Sequence, residues 1–222
     1  MESLVSVIIP VLNGEKYLRE ALESLRGQDC RMEILVVDDG SEDGTAALAR
    51  EEGCRVLVHP RTCGPVVAKN TGLAAATGDY VMFMDSDDRM RKGVLPLLCR
   101  ELEADPAVSA VQAKVQDFLS PDCPAGPQIR PEPYYGLFTG AVLIRRDVFD
   151  EIGPFPASLQ AGEMIDWSGR MERKGLIIKK IDLISTDRRI HGSNFGRTHR
   201  DVEFKDYAAL LRARIQALKD LK

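Results

Sequence analysis

The first hundred residues alternate between short apolar runs and longer segments whose apolar residues recur every three or four positions. The runs have the composition of strands buried on both faces, and the other segments have the spacing of amphipathic helices. This pattern predicts strands at 4–10, 32–37, 55–59 and 80–84, and helices at 15–26, 45–52, 65–76 and from about residue 91. Such alternation is typical of a parallel sheet covered by helices on both faces. The sequence therefore predicts an α/β fold of the nucleotide-binding type.

The second half is less regular. Its pattern predicts strands at 108–118 and 137–145, a proline-rich loop at 120–133 and a helix at 162–174, which an apolar segment follows at 176–184. From residue 202 to 221 apolar residues return at three- and four-residue steps, which predicts a helix that packs on the domain or forms a homodimer contact. We expect one domain at 1–200, with a nucleotide-binding half at 1–100 and an acceptor half at 101–200. A C-terminal helix at 201–222 follows it.

Composition excludes several classes of protein. The 222 residues are 44% hydrophobic and 29% charged, with a net charge of −4, which favours a soluble globular chain and argues against nucleic-acid binding. No apolar run approaches the roughly 20 residues of a transmembrane helix, and the first residues do not resemble a signal peptide. Five cysteines without a Cys-x-x-Cys spacing indicate reduced thiols and a cytoplasmic protein.

Carboxylates follow the fourth predicted strand, where Asp85, Ser86, Asp87 and Asp88 end an apolar run. Open α/β sheets bind ligands at the carboxyl ends of their strands. An Asp-x-Asp pair there offers hard oxygen ligands for Mg²⁺ or Mn²⁺, and such an ion in turn suggests a phosphate-bearing substrate. The alternative is that Ser86 or Asp87 caps the helix predicted from about residue 91.

The second predicted strand ends in Asp38 and Asp39. The chain has no Gly-x-x-x-x-Gly-Lys, and no Gly-x-Gly-x-x-Gly follows the first strand, so a glycine-rich loop does not cradle phosphates here. Asp39 is instead suited to accept a hydrogen bond from a base or a ribose. Capping of the next helix is the alternative for both carboxylates.

Three successive segments resemble the family 2 inverting glycosyltransferases, and they read VSVIIPVLNGEKYLREALESL, ILVVDDGSEDGT and GPVVAKNTGLAAATGDYVMFMDSDD. The likeness covers residues 4 to about 100 closely and residues 135 to about 195 more loosely. It implies the GT-A fold of nucleotide-diphospho-sugar transferases, with a mostly parallel central sheet flanked by helices. It also implies a nucleotide-sugar donor, for which the family resemblance favours a UDP-sugar, and Mn²⁺ or Mg²⁺ as cofactor.

The resemblance assigns residues of the first half to the donor. Asp39 would accept the imide N–H of uracil, and Lys69 stands where the family usually has arginine, near the base and the diphosphate. Asp87 would bind the metal directly, with Asp85 at the ribose or the metal and Asp88 behind them. The residues implied to bind the nucleotide are Pro10, Val11, Asn13, Glu15, Asp38, Asp39, Lys69, Asp85 and Ser86.

An inverting transfer needs a general base, which the family usually supplies from a Glu-Asp pair that opens a helix. This chain has Glu163 followed by Met164, and methionine cannot accept a proton. Glu163 and Asp166 share one helix face, so either could be the base. We favour Glu163, with Asp166 held by Arg170. The alternative is that both acids only stabilise the helix N-terminus.

Other residues of the second half are implied less directly. His191 would complete the metal shell, contact the diphosphate or be a buried structural histidine, while Arg189 and Arg197 would face the leaving diphosphate. Trp167 would stack on a sugar or belong to the core. Gly140 would belong to the segment at 134–140, which would form part of the wall of the acceptor site. No role is assigned to His59 or His199, which lack a partner pattern.

These observations predict a metal-dependent inverting glycosyltransferase that uses a UDP-sugar, with GDP- and dTDP-sugars as alternatives. The acceptor could be a glycan, a lipid-linked precursor, a small molecule or a peptide. Because Met164 replaces the expected aspartate, a catalytically inactive sugar-nucleotide-binding protein is a rival. A sugar-phosphate nucleotidyltransferase is disfavoured, since the glycine-rich basic loop of those enzymes is missing.

Overall fold

The computed structural model describes residues 3–123, 129–136, 139–194, 198, 201 and 204–212. The strands are β1 (Val5–Val11), β2 (Met32–Asp38), β3 (Arg55–Val58), β4 (Tyr80–Phe83), β5 (Arg89–Met90), β6 (Val108–Leu119), β7 (Val142–Arg145) and β8 (Ile177–Ile190). The helices are α1 (Glu15–Arg26), α2 (Thr45–Glu51), α3 (Pro65–Ala75), α4 (Val94–Ala104), α5 (Asp147–Ile152) and α6 (Glu163–Arg173). Residues 204–212 are helical as well.

The strands form one eight-stranded sheet in the order β3-β2-β1-β4-β7-β6-β8-β5. The four strands of the first half are mutually parallel, as their alternation with helices predicts. In the second half β7 pairs antiparallel with both β4 and β6, β6 pairs parallel with β8, and β5 pairs antiparallel with β8. The α/β fold is confirmed, with a mixed sheet in which the carboxyl ends of β1, β2 and β4 share one edge.

Hydrophobic layers cover both faces of the sheet. Successive residues of β1 enter different layers, because Val7 and Ile9 belong to one and Ile8 to the other. The first layer contains the apolar faces of α1 and α4, and the second contains residues of α3, α5 and α6. This arrangement explains why β1 reads as an uninterrupted apolar run rather than an alternating one.

Several boundaries differ from the predictions. Among the described residues of the strand predicted at 137–145, residues 139–141 form a 3₁₀ helix and β7 begins only at Val142. Strand β8 continues well past the apolar segment at 176–184. The short elements α5 and β5 were not predicted, since six and two residues are too few to show a period. Helix α4 begins only at Val94, after Gly93 in the left-handed region at φ +72°. Neither Ser86 nor Asp87 can cap it, so that alternative is wrong.

The contact between α3 and β1 leaves no room for a side chain at Gly72. A Cβ atom there would overlap Cγ2 of Ile8 and lie 3.1 Å from Cγ2 of Val37. We expect Gly72→Ala to lower the free energy of unfolding by about 1–3 kcal/mol, the usual cost of overpacking. Gly169→Ala is the matched control in α6, because its Cβ would meet only a guanidinium nitrogen of Arg173 at 3.5 Å.

Urea denaturation of both variants measures the difference. Gly169→Ala should gain up to about 1 kcal/mol from its higher helix propensity. Equal stability of the two variants would contradict the close approach of α3 to the sheet.

Candidate active site

A cleft of about 1390 Å³ opens at the carboxyl ends of β1, β2 and β4. It brings together residues that lie far apart in the sequence and come from both halves of the chain. The predicted site residues that line it are Pro10, Val11, Asn13, Asp39, Lys69, Asp85, Ser86, Asp87, Glu163, Arg189 and His191. The position of the cleft agrees with the general rule for ligand sites in open α/β sheets.

Three carboxylates meet in the turn that follows β4. Oxygen atoms of Asp85, Asp87 and Asp88 lie within 4.8 Å of one another. Burial raises the pKa of the Asp88 carboxyl well above its usual range, and the charges of Asp87 and Asp85 raise it further. Burial also raises the pKa of Asp85, against the opposing effect of Lys69. Because a cation would relieve this repulsion and the donors are hard oxygens, the cluster suits a divalent ion such as Mn²⁺ or Mg²⁺.

Residues 191–194, which follow β8, contact this turn. Oδ2 of Asp87 lies 2.8 Å from Nε2 of His191 and accepts a hydrogen bond of 3.0 Å from Nδ2 of Asn194. The backbone N–H of Arg189 donates to Oδ1 of Asp88 at 2.8 Å. The structure thus places His191 beside the carboxylate that is predicted to bind the metal, where its ring nitrogen is a suitable additional donor.

Arg189 stabilises the turn at residues 85–88, which we call the acidic turn. Its Nε donates to the carbonyl of Asp87 at 2.9 Å, and its guanidinium pairs with Glu20. The same group lies 4.8 Å from the ring centre of Tyr17 and 4.6 Å from that of Phe118. Arg189 lines the cleft, yet these partners already fix its guanidinium, so its first effect is to hold the turn in place.

Asp39 contacts a histidine to which the sequence assigned no role. Its carboxylate lies 2.6 Å from Nδ1 of His59 and accepts backbone N–H groups of Cys63 and Gly64 at 2.9 and 2.8 Å. The other ring nitrogen of His59 lies 2.9 Å from Oγ1 of Thr71. The reading of His59 as a residue without a partner was wrong. The available signal was that β2 and β3 are neighbouring parallel strands, whose ends place these two residues together.

Asp39 therefore organises one rim of the cleft. Its hydrogen bonds with the N–H groups of Cys63 and Gly64 fix the segment at 62–64, which lines the cavity beside the start of α3. The carboxylate is 3% exposed, so any bound base has to share an acceptor that already serves three donors.

Lys69 and Glu163 form a buried ion pair across the cleft. Burial by itself lowers the pKa of Lys69, but the charges of Glu163 and Asp85 outweigh this and raise it. Lys69 reaches the cleft from α3, and Glu163 is the first residue of α6, directly after Gly162 in the left-handed region at φ +76°. Lys69, which was predicted to contact the donor, thus also interacts with the candidate base Glu163 and with Asp85 of the turn after β4.

Asp166 and Trp167 lie outside the cleft lining. Oδ2 of Asp166 accepts a 2.7 Å hydrogen bond from Nε of Arg170, whose other nitrogens donate to backbone carbonyls at 152–154. Trp167 is fully buried and packs against Phe149 in the second hydrophobic layer. Met164 is buried in the same layer, so the chain has no cleft-facing group at that position. The geometry agrees with Glu163 rather than Asp166 as the group that faces the cleft.

Three more residues that were predicted for the site do not line the cleft and instead form local structural contacts. Glu15 accepts the N–H of Gly44, and Asp38 accepts that of Ser41, both at 2.9 Å. The carbonyl of Gly140 accepts a 2.6 Å hydrogen bond from Thr186. Arg197 lies outside the described residues, as do His199 and residues 137–138 of the expected acceptor wall.

Further side chains line the cleft, and of these only Tyr134 and Tyr135 belong to the predicted segment at 134–140. Arg188 lies 3.6 Å from Asp117 on the neighbouring strand, and Arg130 stacks on the ring of Tyr134 at 4.2 Å. Tyr135 and Tyr207 also line the cleft. A sequence signal existed only for 134–136, because the other residues come from elements that pair through register and packing.

Among the described residues, no helix combines the length and the apolar composition that crossing a membrane requires.

Comparisons with known proteins agree with this geometry. The family model described as "Glycosyl transferase family 2" matches residues 6–156. The Pre-mycofactocin glycosyltransferase of Mycobacterium tuberculosis is 30% identical over 206 residues, which cover 83% of this chain and 43% of that protein. Glycosyltransferase AglE of Haloferax volcanii is 27% identical over 200 residues, covering 77% and 62%. The chain thus spans about half the length of these curated relatives.

Solved structures show the same fold. TarS 1–349 of S. aureus in complex with UDP-GlcNAc has a TM-score of 0.70 at 24% identity, covering 87% of this chain and 60% of that one. Mannosyltransferase PcManGT from Pyrobaculum calidifontis, in complex with GDP-Man and Mn²⁺, has a TM-score of 0.69 at 20% identity, covering 89% and 59%. These likenesses identify the fold as that of the GT-A glycosyltransferases. The family match over residues 6–156, which is more than half of the chain, places it in glycosyl transferase family 2.

Proposed function

We propose that this protein is a metal-dependent inverting glycosyltransferase that transfers a sugar from a nucleotide-diphosphate donor, with UDP-sugars favoured, to an acceptor hydroxyl. The observation that carries the proposal is the convergence of the acidic turn at 85–88 and Glu163 in one cleft, where Lys69 pairs with Glu163 and is close enough to Asp85 to feel its charge. A divalent-ion site and a carboxylate base are the two groups that this reaction needs.

The metal would be held by Asp87 and Asp85, with His191 as a further donor and Asp88 behind them. When bound, a divalent ion supplies positive charge that stabilises the leaving diphosphate. Glu163 takes the proton of the acceptor hydroxyl, whose oxygen then forms the new bond to the anomeric carbon as the bond to the diphosphate breaks. Because attack comes from the face opposite the leaving group, the configuration inverts. Lys69 compensates for the burial of the Glu163 carboxylate.

The donor base would bind near Pro10, Val11 and Asn13, beside the rim that Asp39 organises. UDP is favoured by the resemblance of this region to the family and by the UDP-GlcNAc complex of the structural relative TarS. GDP is the main alternative, since the mannosyltransferase relative is described with GDP-Man. Five cysteines without a Cys-x-x-Cys spacing favour a reducing compartment, and we propose the cytoplasm.

Calorimetric titration of UDP with and without Mn²⁺ tests the donor site. We expect UDP affinity to rise at least about tenfold with Mn²⁺, because the ion links the acidic turn to the diphosphate. GDP and dTDP are the matched ligands, as they differ only in the base and, for dTDP, the sugar. Equal or stronger binding of GDP would contradict the uracil assignment, and no binding of any of the three would contradict the donor site itself.

An inactive sugar-nucleotide-binding protein is the rival function, and the buried Met164 is the observation that favours it. Both functions predict metal-dependent UDP binding, so turnover separates them. A transferase should slowly hydrolyse a UDP-sugar when water replaces the acceptor, whereas a binding protein should leave the donor intact.

A further inference from the structure

The helix at 204–212 contacts the segment that leads into α6. Oδ2 of Asp206 accepts backbone hydrogen bonds from Gln160 at 2.8 Å and from Ala161 at 3.1 Å. At the next residue, a Cβ on Gly162 would lie 2.8 Å from Cδ1 of Tyr207. The helix therefore fixes residues 160–162 through hydrogen bonds and through close packing.

This segment determines where α6 begins. The carbonyl of Gly162 accepts the N–H of Ile165 at 2.9 Å, which closes the first turn of the helix. Glu163 is the first residue of that turn, so a displacement of the preceding backbone moves its carboxylate as well. Gln160, Glu163 and Tyr207 all line the cleft, so the 204–212 helix reaches the cleft wall through Tyr207.

The contact is specific to one side of the 204–212 helix. Phe204 is 77% exposed and Leu211 is 60% exposed, whereas Asp206 and Tyr207 face residues 160–162. Leu210 lies on the same side, where it packs against the second hydrophobic layer and where its Cδ1 would lie 3.0 Å from a Cβ on Gly162. The contact thus combines apolar packing with a carboxylate bound to two backbone N–H groups.

We propose that the 204–212 helix belongs to the active site and that Asp206 and Tyr207 are positioning residues for Glu163. This inference rests on the proposed function, in which Glu163 is the base. Lys69 holds the side chain of Glu163, and Asp206 with Tyr207 holds the backbone from which it projects. Activity should therefore depend on the contact of Asp206 and Tyr207 with residues 160–162 as well as on the cleft residues of the proposed function.

Asp206→Ala tests the proposal, with Asp201→Ala as the matched control, because Asp201 is an exposed aspartate outside the cleft lining. We expect Asp206→Ala to lower kcat for UDP-sugar hydrolysis about tenfold, the usual effect of losing a charged hydrogen bond. The affinity for UDP with Mn²⁺ should stay unchanged. Asp206→Asn keeps an acceptor oxygen and should restore most of the loss. Asp201→Ala should behave like the unchanged protein.

Tyr207→Ala provides a second variant in case Asp206→Ala folds poorly. It should lower kcat in the same way, while Phe204→Ala, which removes an exposed aromatic side chain from the same helix, should not. A merely structural role would lower the melting temperature and UDP affinity of these variants without a selective loss of kcat. That result would overturn the proposal, as would unchanged kcat in both Asp206→Ala and Tyr207→Ala.

Amide hydrogen exchange separates this inference from the proposed function. The amides of Gln160 and Ala161 should exchange faster in Asp206→Ala than in Asp201→Ala, because their hydrogen bonds to the carboxylate are lost. If the unchanged protein turns over no nucleotide sugar, the proposed function fails, and the exchange rates alone decide whether Asp206 anchors the segment. Unchanged exchange together with normal turnover would overturn only the anchoring role.

Discussion

Replacing Asp87 by alanine should reduce turnover of a UDP-sugar by roughly 10³-fold, since it removes the proposed direct ligand of the ion that stabilises the leaving diphosphate. The same change should abolish the increase in UDP affinity that Mn²⁺ produces, while the weaker metal-independent affinity remains. Oδ2 of Asp87 also binds His191 and Asn194, so the variant should release the chain after β8 from the acidic turn.

Initial-rate measurements over a range of Mn²⁺ concentrations, together with UDP titrations, check this expectation. Asp29→Ala is the control, because Asp29 is an exposed aspartate outside the cleft lining. Asp87→Asn adds a second comparison, since it keeps the size of the side chain but loses its charge. Full Mn²⁺-dependent UDP binding in Asp87→Ala would show that the cluster at 85–88 does not hold the ion through this residue.

Replacing Glu163 by glutamine should lower transfer by about 10²–10⁴-fold, the range expected when a general base is removed. Glutamine has nearly the same shape and cannot take a proton from the acceptor at neutral pH. The affinity for UDP with Mn²⁺ should change little. Lys69 loses its carboxylate partner in this variant, so the melting temperature has to be measured alongside the rate.

Glu172→Gln is the matched control at the other end of α6, where the side chain is exposed. Asp166→Asn tests the other candidate base. It should lower stability through the loss of the contact with Arg170 without a comparable loss of kcat. If Asp166→Asn lost turnover and Glu163→Gln kept it, the assignment of the base would be reversed. If neither variant lost turnover, the transferase mechanism proposed here would be wrong.

The local pattern of apolar and polar residues was sufficient to predict most elements in the first half of the chain. The apolar runs and helical spacing predicted α1 with its observed bounds and the other elements up to β4 within about two residues, because each is defined by contacts along its own length. The acidic turn was predictable for the same reason, since charged residues directly after a buried strand must lie at the edge of the sheet. The resemblance to family 2 then assigned the donor side by motif.

The second half shows why pattern alone was insufficient there. Strand β8 ends in DRRI, a polar sequence that pairs with β6 and closes on the acidic turn only in the folded chain. The partnership of His59 with Asp39 likewise depends on the pairing of β3 with β2. Trp167 and Glu163 both lie in an amphipathic helix, and only packing decided that the first is core and the second faces the cleft.

The sequence by itself determined the α/β class, the order of the first elements and the candidate metal-binding turn, because these follow from periodicity and from residues that are adjacent in the chain. The tertiary structure decided which acid of α6 faces the cleft, where Lys69 directs its charge and how the helix at 204–212 reaches Gly162. Each of these depends on contacts between residues tens of positions apart. Such contacts leave no period in the sequence, since their geometry arises only when sheet and helices pack together.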